Sequence, residues 1–450
     1  MPLEPLDFNP DIVCGRLAAL GTAPCLIGFS GGGDSTALLL IAARWARQCD
    51  VPLIPVIIDH ALRPESAREA EAAASRARQL GLNPEIVRWE GDKPASGIQA
   101  AARTFRLQTF ARMARDVNAQ TILLGHTLDD QAETVWMRLQ AGGGPDALAG
   151  MSARSPLPLW PEGMALSIVR PLLDVSRAAL RNWLSREGQS WIDDPSNESR
   201  NFTRIRNRQT LAQLSDGGFD VAELCAMAGR FQASRRSGAC EAAAVLLKSA
   251  TLLPWGGIRL DRGALGDAAD RPAQKAMEAA RAAVSGDPSP RMDAAKRLLE
   301  ALKASASATA GGAALTLFRG EWWLVRDPGA VAGRADQAAA PVSTLPLGTA
   351  TIWDGRFAFT RPDLEISLLG KTYPTGITAE TLKAVPALAR PGLPLIRQGG
   401  QLCGMPGLSG SADKVTRSLA KALIRRNLFE DRPPAWFDEQ LHAQTAQGSH

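Results

Sequence analysis

Ser30-Gly31-Gly32-Gly33-Asp34-Ser35 is the stretch of this 450-residue chain whose residue types and order can hold a polyphosphate. Glycines let a backbone turn sharply and approach a ligand closely. Where such a turn opens a helix, the first N–H groups have no partner inside it and face an anion. Asp34 adds a carboxylate that can bind Mg2+ or merely cap the helix. Further along, Asp59-His60 and the group His126, Asp129 and Asp130 supply carboxylates and imidazoles of the kind that orient ligands and move protons.

Other glycine-rich loops fit less well. A Walker A loop requires G-x-x-x-x-G-K-[ST], yet no lysine precedes Lys93, and the later Gly370-Lys371-Thr372 has Glu365 where the first glycine belongs. The dinucleotide fingerprint fails because Asp34, Ser35 and Thr36 stand where its third glycine is needed. Gly28-Phe29-Ser30-Gly31-Gly32 does match G-x-S-x-G, which would make Ser30 a nucleophile. That alternative needs an oxyanion donor from an earlier strand–helix loop, and only 27 residues precede Gly28.

Positioning these residues calls for alternating strands and helices. Apolar runs predict strands at Cys25–Phe29, Leu53–Asp59, Glu85–Trp89 and Thr121–Gly125. Helical patterns fill Thr36–Arg47, Glu65–Leu80, Ile98–Val117 and Asp130–Leu139. Such alternation implies an α/β domain, a parallel sheet covered on both faces. Ligands in these sheets bind beyond the carboxyl ends of the strands, where the glycine loop, Asp59-His60 and His126 through Asp130 all fall. One further unit follows, a strand at Ile168–Leu173 and a helix at Arg177–Arg186. From about residue 217 the pattern changes to amphipathic helices, 221–249 and 271–304, with β-like pieces such as Leu315–Leu324. The tail after Ala443 lacks apolar periodicity and is expected to be disordered.

Composition narrows the classes. No run of about 18 apolar residues exists, so no membrane span is expected. Met1-Pro2-Leu3-Glu4-Pro5-Leu6-Asp7 does not read as a signal peptide. The six cysteines form no C-x-x-C pair, which argues against a zinc or iron–sulfur site and suits a reducing, cytoplasmic setting. A net charge of +5 favours an anionic partner.

The loop resembles in full the S-G-G-x-D-S pattern of the N-type ATP pyrophosphatases, which split ATP between the α and β phosphates and adenylate a substrate oxygen. Four more stretches resemble signatures of one branch, the tRNA(Ile)-lysidine synthetases. They are Ile58-Asp59-His60-Ala61-Leu62-Arg63-Pro64-Glu65-Ser66, Leu124-Gly125-His126-Thr127-Leu128-Asp129-Asp130-Gln131-Ala132-Glu133-Thr134, Arg170-Pro171-Leu172-Leu173 and Trp191-Ile192-Asp193-Asp194-Pro195-Ser196-Asn197. Together the matches cover residues 25–200. The glycine stretch after Arg138 departs from the family, with Ala141 where a basic residue is usual.

The resemblance implies a reaction: lysine is ligated to C2 of the wobble cytidine of a CAU-anticodon tRNA(Ile), through an adenylated tRNA, with release of AMP and pyrophosphate. Partners are then ATP, L-lysine and that tRNA, with Mg2+ as cofactor and no membrane; a homodimer stays open. Ser30, Gly31, Gly32, Gly33, Asp34 and Ser35, with Asp59, His60 and Gly125, are the implied ATP site, and Asp34 the metal ligand. Asp130 matches the family's lysine-recognising aspartate and is expected to receive the amine proton. His126, Asp129 and Arg106 complete the catalytic expectation, although Asp129 also reads as a helix cap and Arg106 as a solvated helix face. Arg63 matches a residue that reaches pyrophosphate.

For RNA, Arg200, Arg204, Arg206 and Arg208 place four cations in nine residues. Lys414, Arg417, Lys421 and Arg425, spaced 3-4-4, would form one stripe of a helix; a solvated face is the equal alternative. The expected layout is an ATP pyrophosphatase domain over 1–216, a mainly helical tRNA-binding linker domain over 217–336 and a small α+β tRNA-binding domain over 347–435.

Overall fold

The computed structural model describes residues 8–192, 207, 210, 211, 213, 217–332, 344–347, 350–361 and 363–447. The chain divides into two compact units, Met1–Arg235 and Arg236–His450.

In the first unit the apolar runs become the strands of a six-stranded sheet, ordered β3-β2-β1-β4-β6-β5. These are β1 (Cys25–Gly28), β2 (Leu53–Asp59), β3 (Glu85–Arg88), β4 (Thr121–Leu123), β5 (Arg154–Pro156) and β6 (Ser167–Val169). All neighbours run parallel except the edge pair β5–β6. Strand β1 is central, pairing Cys25 with Leu53 on one side and with Thr121 on the other. Covered on both faces, its Leu26 and Ile27 are wholly buried. That is why it reads as an unbroken apolar run.

Helices α1 (Pro10–Ala18), α2 (Gly33–Cys49), α3 (Ser66–Gln79), α4 (Ile98–Asp116) and α7 (Arg177–Arg186) build the cores around the sheet, and α5 (Leu128–Gln140) and α6 (Pro145–Leu148) follow β4. One core joins Leu38, Leu39 and Trp45 of α2 to Leu17 of α1 and Leu180, Trp183 and Leu184 of α7. Ala70, Ala73, Ala74 and Ala77, at helical spacing, bring α3 into the same core. A second core packs Leu107, Phe110 and Ala114 of α4 against Leu26, Ile122 and Ile168. Helices α1 and α7 both pack on α2. The start of α7 is thereby carried to the start of α2, a meeting that creates the site below.

The second unit holds a five-stranded antiparallel sheet of β7 (Ala250–Leu252), β8 (Ile258–Leu260), β9 (Ala308–Ala310), β10 (Ala313–Phe318) and β11 (Glu321–Arg326), in the order β7-β8-β11-β10-β9. It therefore carries a sheet as well as the expected helices. The single helix expected over 271–304 is two, Asp270–Ser285 and Met292–Lys303. The first ends at Gly286 in the left-handed conformation (φ 73°), and Pro288 and Pro290 follow. The β-like piece near Leu315 is the hairpin β10–β11, turning at Arg319-Gly320 with φ of 55° and 80°.

Beyond them lie β12 (Thr344–Leu347), β13 (Ala350–Trp353), β14 (Phe357–Phe359), β15 (Leu364–Leu368), β16 (Pro394–Gln398), β17 (Gln401–Met405), β18 (Ser409–Gly410) and β19 (Thr416–Ser418). They form two four-stranded sheets, β12-β13-β14-β19 and β15-β16-β17-β18. The helix Ala435–Gln447 continues past Ala443, where disorder was expected.

Candidate active site

The glycine loop leaves β1 and opens α2, as its sequence requires. Gly31 sits at φ 81°, the left-handed conformation that favours glycine, with Ile192 Cδ1 2.7 Å from where a Cβ would stand. Gly32 is the N-cap of α2 and offers no capping side chain, so the first-turn N–H groups stay open to an anion. The hydroxyls stiffen the loop: Ser35 Oγ donates to the Gly32 carbonyl (2.9 Å) and Thr36 Oγ1 to that of Gly31 (3.2 Å). Ser30 and Ser35 share a hydroxyl hydrogen bond of 3.1 Å. Gly125, at the end of β4, lets that strand approach closely: a Cβ would stand 3.1 Å from the Asp34 carbonyl oxygen. The Ile192 N–H donates to the Gly31 carbonyl (2.9 Å), drawing the Trp191-Ile192 segment over the loop.

Three helix starts converge here, those of α2, α5 and α7. Thr127 caps α5 in a capping box with Asp130, whose Oδ2 accepts from the Thr127 N–H (2.9 Å) and hydroxyl (3.1 Å). Asp129, read from sequence as a cap for its own helix, reaches α7 as well: that helix is capped by Ser176, and Asp129 Oδ2 accepts the N–H of its first residue, Arg177, at 2.8 Å. Arg177 then ties the helices together. Its Nε donates to Asp34 Oδ2 (3.0 Å) and its Nη2 to Asp130 Oδ1 (3.1 Å), while Nη1 lies 4.0 Å from the buried Glu133. The side chain is only 16% exposed. Burial acts to lower the Arg177 guanidinium, but the Asp34 and Asp130 carboxylates outweigh it and hold it above its ordinary value. Burial pushes the Asp34 carboxyl above the usual carboxylate range, against the pull of Arg177.

Asp34 Oδ1 is buried and accepts no hydrogen bond among the described residues. An orphaned carboxylate oxygen at an open helix start fits Mg2+, which binds through one or two carboxylates together with phosphate oxygens. No group of three or more His, Cys, Asp or Glu side chains able to cage a metal occurs among the described residues. Asp34 accordingly offers one ligand rather than a cage.

At the end of β2, Asp59 is buried and internally engaged. Its Oδ1 accepts the Ala61 N–H (2.8 Å) and its Oδ2 lies 3.3 Å from Arg88 Nη1. This carboxylate shapes the following loop, holding Ala61 at φ 50°. His60 is half-buried against Trp89 and Phe105, with ring centroids 6.2 and 6.4 Å away. Burial lowers its imidazole below the ordinary value and the Arg106 charge adds to the effect, which favours the neutral ring. His60 Nδ1 is buried and lacks a partner among the described residues. Arg106 and His126 are half-buried, so Arg106 is not on a freely solvated face. Arg63 pairs with Glu69 (2.9 Å).

Arg177 and Glu133 were not singled out from sequence as site residues. A signal existed for Arg177: the first turn of α7 contains a cation and no acid, against the preference set by the helix dipole. Arg200, Arg204, Arg206 and Arg208 lie outside the described residues. The second basic group does not form one helical stripe. Lys414 closes the 3-10 turn Ala412–Lys414, Arg417 lies in β19, and only Lys421 and Arg425 belong to the helix Ala420–Leu428. Pairing of β19 with β14, and the Leu419 N–H on the Arg356 carbonyl (2.8 Å), delay the helix to Ala420. Arg425 is paired with Asp438 (2.6 Å).

A model of the PP-loop domain family matches residues 15–215. The chain is 34% identical over 389 residues to a tRNA(Ile)-lysidine synthase of Caulobacter vibrioides, covering 85% of this chain and 86% of that one. A tRNA(Ile)-lysidine synthase of Methylobacterium nodulans is 38% identical over 323 residues, 68% of this chain and 91% of the relative. One from Ruegeria pomeroyi is 32% identical over 398 residues, 88% of each. No helix among the described residues is long and apolar enough to cross a membrane.

Proposed function

Since the chain belongs to the tRNA(Ile)-lysidine synthase family of PP-loop enzymes, we propose that it ligates lysine to C2 of the wobble cytidine of a CAU-anticodon tRNA(Ile) at the site formed by α2, α5 and α7. The observation that carries this reading is the junction of Asp34 and Asp130 on one guanidinium at the mouth of the phosphate loop. Asp34 belongs to the phosphate loop itself, and Asp130, from the start of α5, shares its guanidinium; we take Asp130 as the group that meets the amine.

Adenylation comes first. The N–H groups at the start of α2 bind the departing pyrophosphate, and the Ser30, Ser35 and Thr36 hydroxyls keep their loop rigid. Asp34 would hold Mg2+ through Oδ1, and that ion supplies neutralisation of phosphate charge. His60, whose buried Nδ1 has no partner among the described residues, stands at the end of β2, where we expect adenosine. Lysine transfer follows. Free lysine has a pKa near 10.4, so the neutral amine is about 4.6 kcal/mol uphill at pH 7. Asp130 orients that amine and receives its proton.

We assign both steps to 1–216, and tRNA anchoring to 217–336 and 347–435. The test is incubation with ATP, labelled lysine and tRNA transcripts. Label should enter only the CAU-anticodon tRNA(Ile), with AMP and pyrophosphate formed in equal amount. ADP and phosphate as the coupled products would refute the reading.

A further inference from the structure

Asp130 has both oxygens engaged: Oδ2 by the backbone and hydroxyl of Thr127, Oδ1 by Arg177. An amine brought to this carboxylate must therefore share it with a guanidinium already in place. The groups that contact that guanidinium among the described residues are Asp34 from α2 and Asp130 and Glu133 from α5, while Asp129 takes the Arg177 backbone N–H and acts on the guanidinium through its charge. Along α7 the next cation, Arg181, is turned to the Trp191 ring, 5.9 Å from its centroid.

We propose that Arg177 is a positioning residue of the amine-transfer step, which holds Asp34 and Asp130 together and, by sharing Asp130 with the substrate amine, disfavours the amine's protonated form. The inference rests on the lysine-ligation reading above. A fixed cation beside an incoming ammonium lowers the proton affinity of that nitrogen, the means by which a desolvated lysine beside another cation becomes a nucleophile. The carboxylates of α5 alone would do the opposite. They would bind the ammonium firmly and leave it protonated. Arg177 offsets part of that field while keeping one acceptor, Asp130, in line.

The proton and electron balance closes. Lysine enters as an ammonium and loses one proton through Asp130 to water. The nitrogen lone pair forms the bond to C2 as the C2–O bond breaks, its electron pair leaving with AMP. The nitrogen then sheds a second proton to water. No further reagent is needed.

The experiment compares the full-length wild type with Arg177→Met and Arg177→Lys, given ATP, Mg2+, the tRNA transcript and either lysine or its less basic sulfur analogue, S-(2-aminoethyl)cysteine. Arg177→Met should lower kcat for lysine transfer at pH 7 by roughly ten- to a hundredfold, about tenfold for each unit of amine pKa no longer suppressed. The loss should shrink with the less basic amine. Arg177→Lys keeps a cation and should retain the wild-type ratio of rates for the two amines, which also covers the case in which the methionine variant does not fold. Equal losses for both amines, no loss, or a lysine variant whose ratio follows the methionine variant would each overturn the proposal. Failure of the underlying reading is separately visible: the wild type itself would then form AMP without placing either amine in RNA.

Discussion

Replacing Asp130 by asparagine should separate the two half-reactions at little expense to the fold. Asp130 Oδ2 completes the capping box of α5, and a lost cap destabilises by about 0.5–2 kcal/mol. Asparagine retains an oxygen for the Thr127 N–H, so the change should lie at or below the bottom of that range. Arg177 loses one partner but keeps Asp34 at 3.0 Å, and no buried charge is stranded. The reaction loses far more. A positioned base contributes roughly 10²- to 10⁴-fold, about 3–5 kcal/mol of barrier, and asparagine cannot take the amine proton. With ATP labelled at the α phosphate, single-turnover quenching should trap adenylated tRNA in the variant, while labelled lysine enters the RNA more slowly by roughly a hundredfold or more. Lysine transfer at the wild-type rate would remove Asp130 from the mechanism. Loss of both steps in a folded variant would place it in the adenylation site instead.

Asp34→Asn should preserve the fold yet lower AMP formation by orders of magnitude, and raising Mg2+ should not restore it; pyrophosphate release followed against Mg2+ checks this. Neutralising Lys414, Arg417 and Lys421 together should weaken tRNA binding and flatten its salt dependence by about 0.7–0.9 for each phosphate no longer neutralised. ATP binding without tRNA should be unaffected, and an unchanged slope would show a merely solvated surface. In the second unit, Arg281 is fully buried and paired with Glu278 at 2.7 Å, and it also donates to the Gly311, Asp287 and Ser289 carbonyls. Arg281→Met leaves Glu278 buried without its cation and should destabilise by about 3–5 kcal/mol in urea unfolding, with partial recovery when Glu278→Gln is added.

What the sequence determined by itself was local. Cys25–Gly28 and Leu53–Asp59 are apolar runs because strands covered on both faces must be, and Ser30 through Ser35 carry their loop geometry in their glycines and hydroxyls. Those features depend on neighbours a few residues away, so the α/β unit and its phosphate loop were legible. The break after Ser285 was legible too, in Gly286, Pro288 and Pro290, though amphipathic periodicity on either side of it suggested one helix. Tertiary structure decided the partners. Whether Arg417 continues a helix or pairs with Ala358 depends on β14, well upstream in the chain. Whether Asp59 faces a ligand or holds Ala61 and Arg88 depends on the register of β2 with β3. Above all, Arg177 meets Asp34 across 143 residues because α7 packs on α2, and meets Asp130 because β4 and β6 are adjacent. A charge pair of that kind has no local pattern to announce it. Its energy comes from burial beside carboxylates on other elements, and that environment exists only once the sheet order is set.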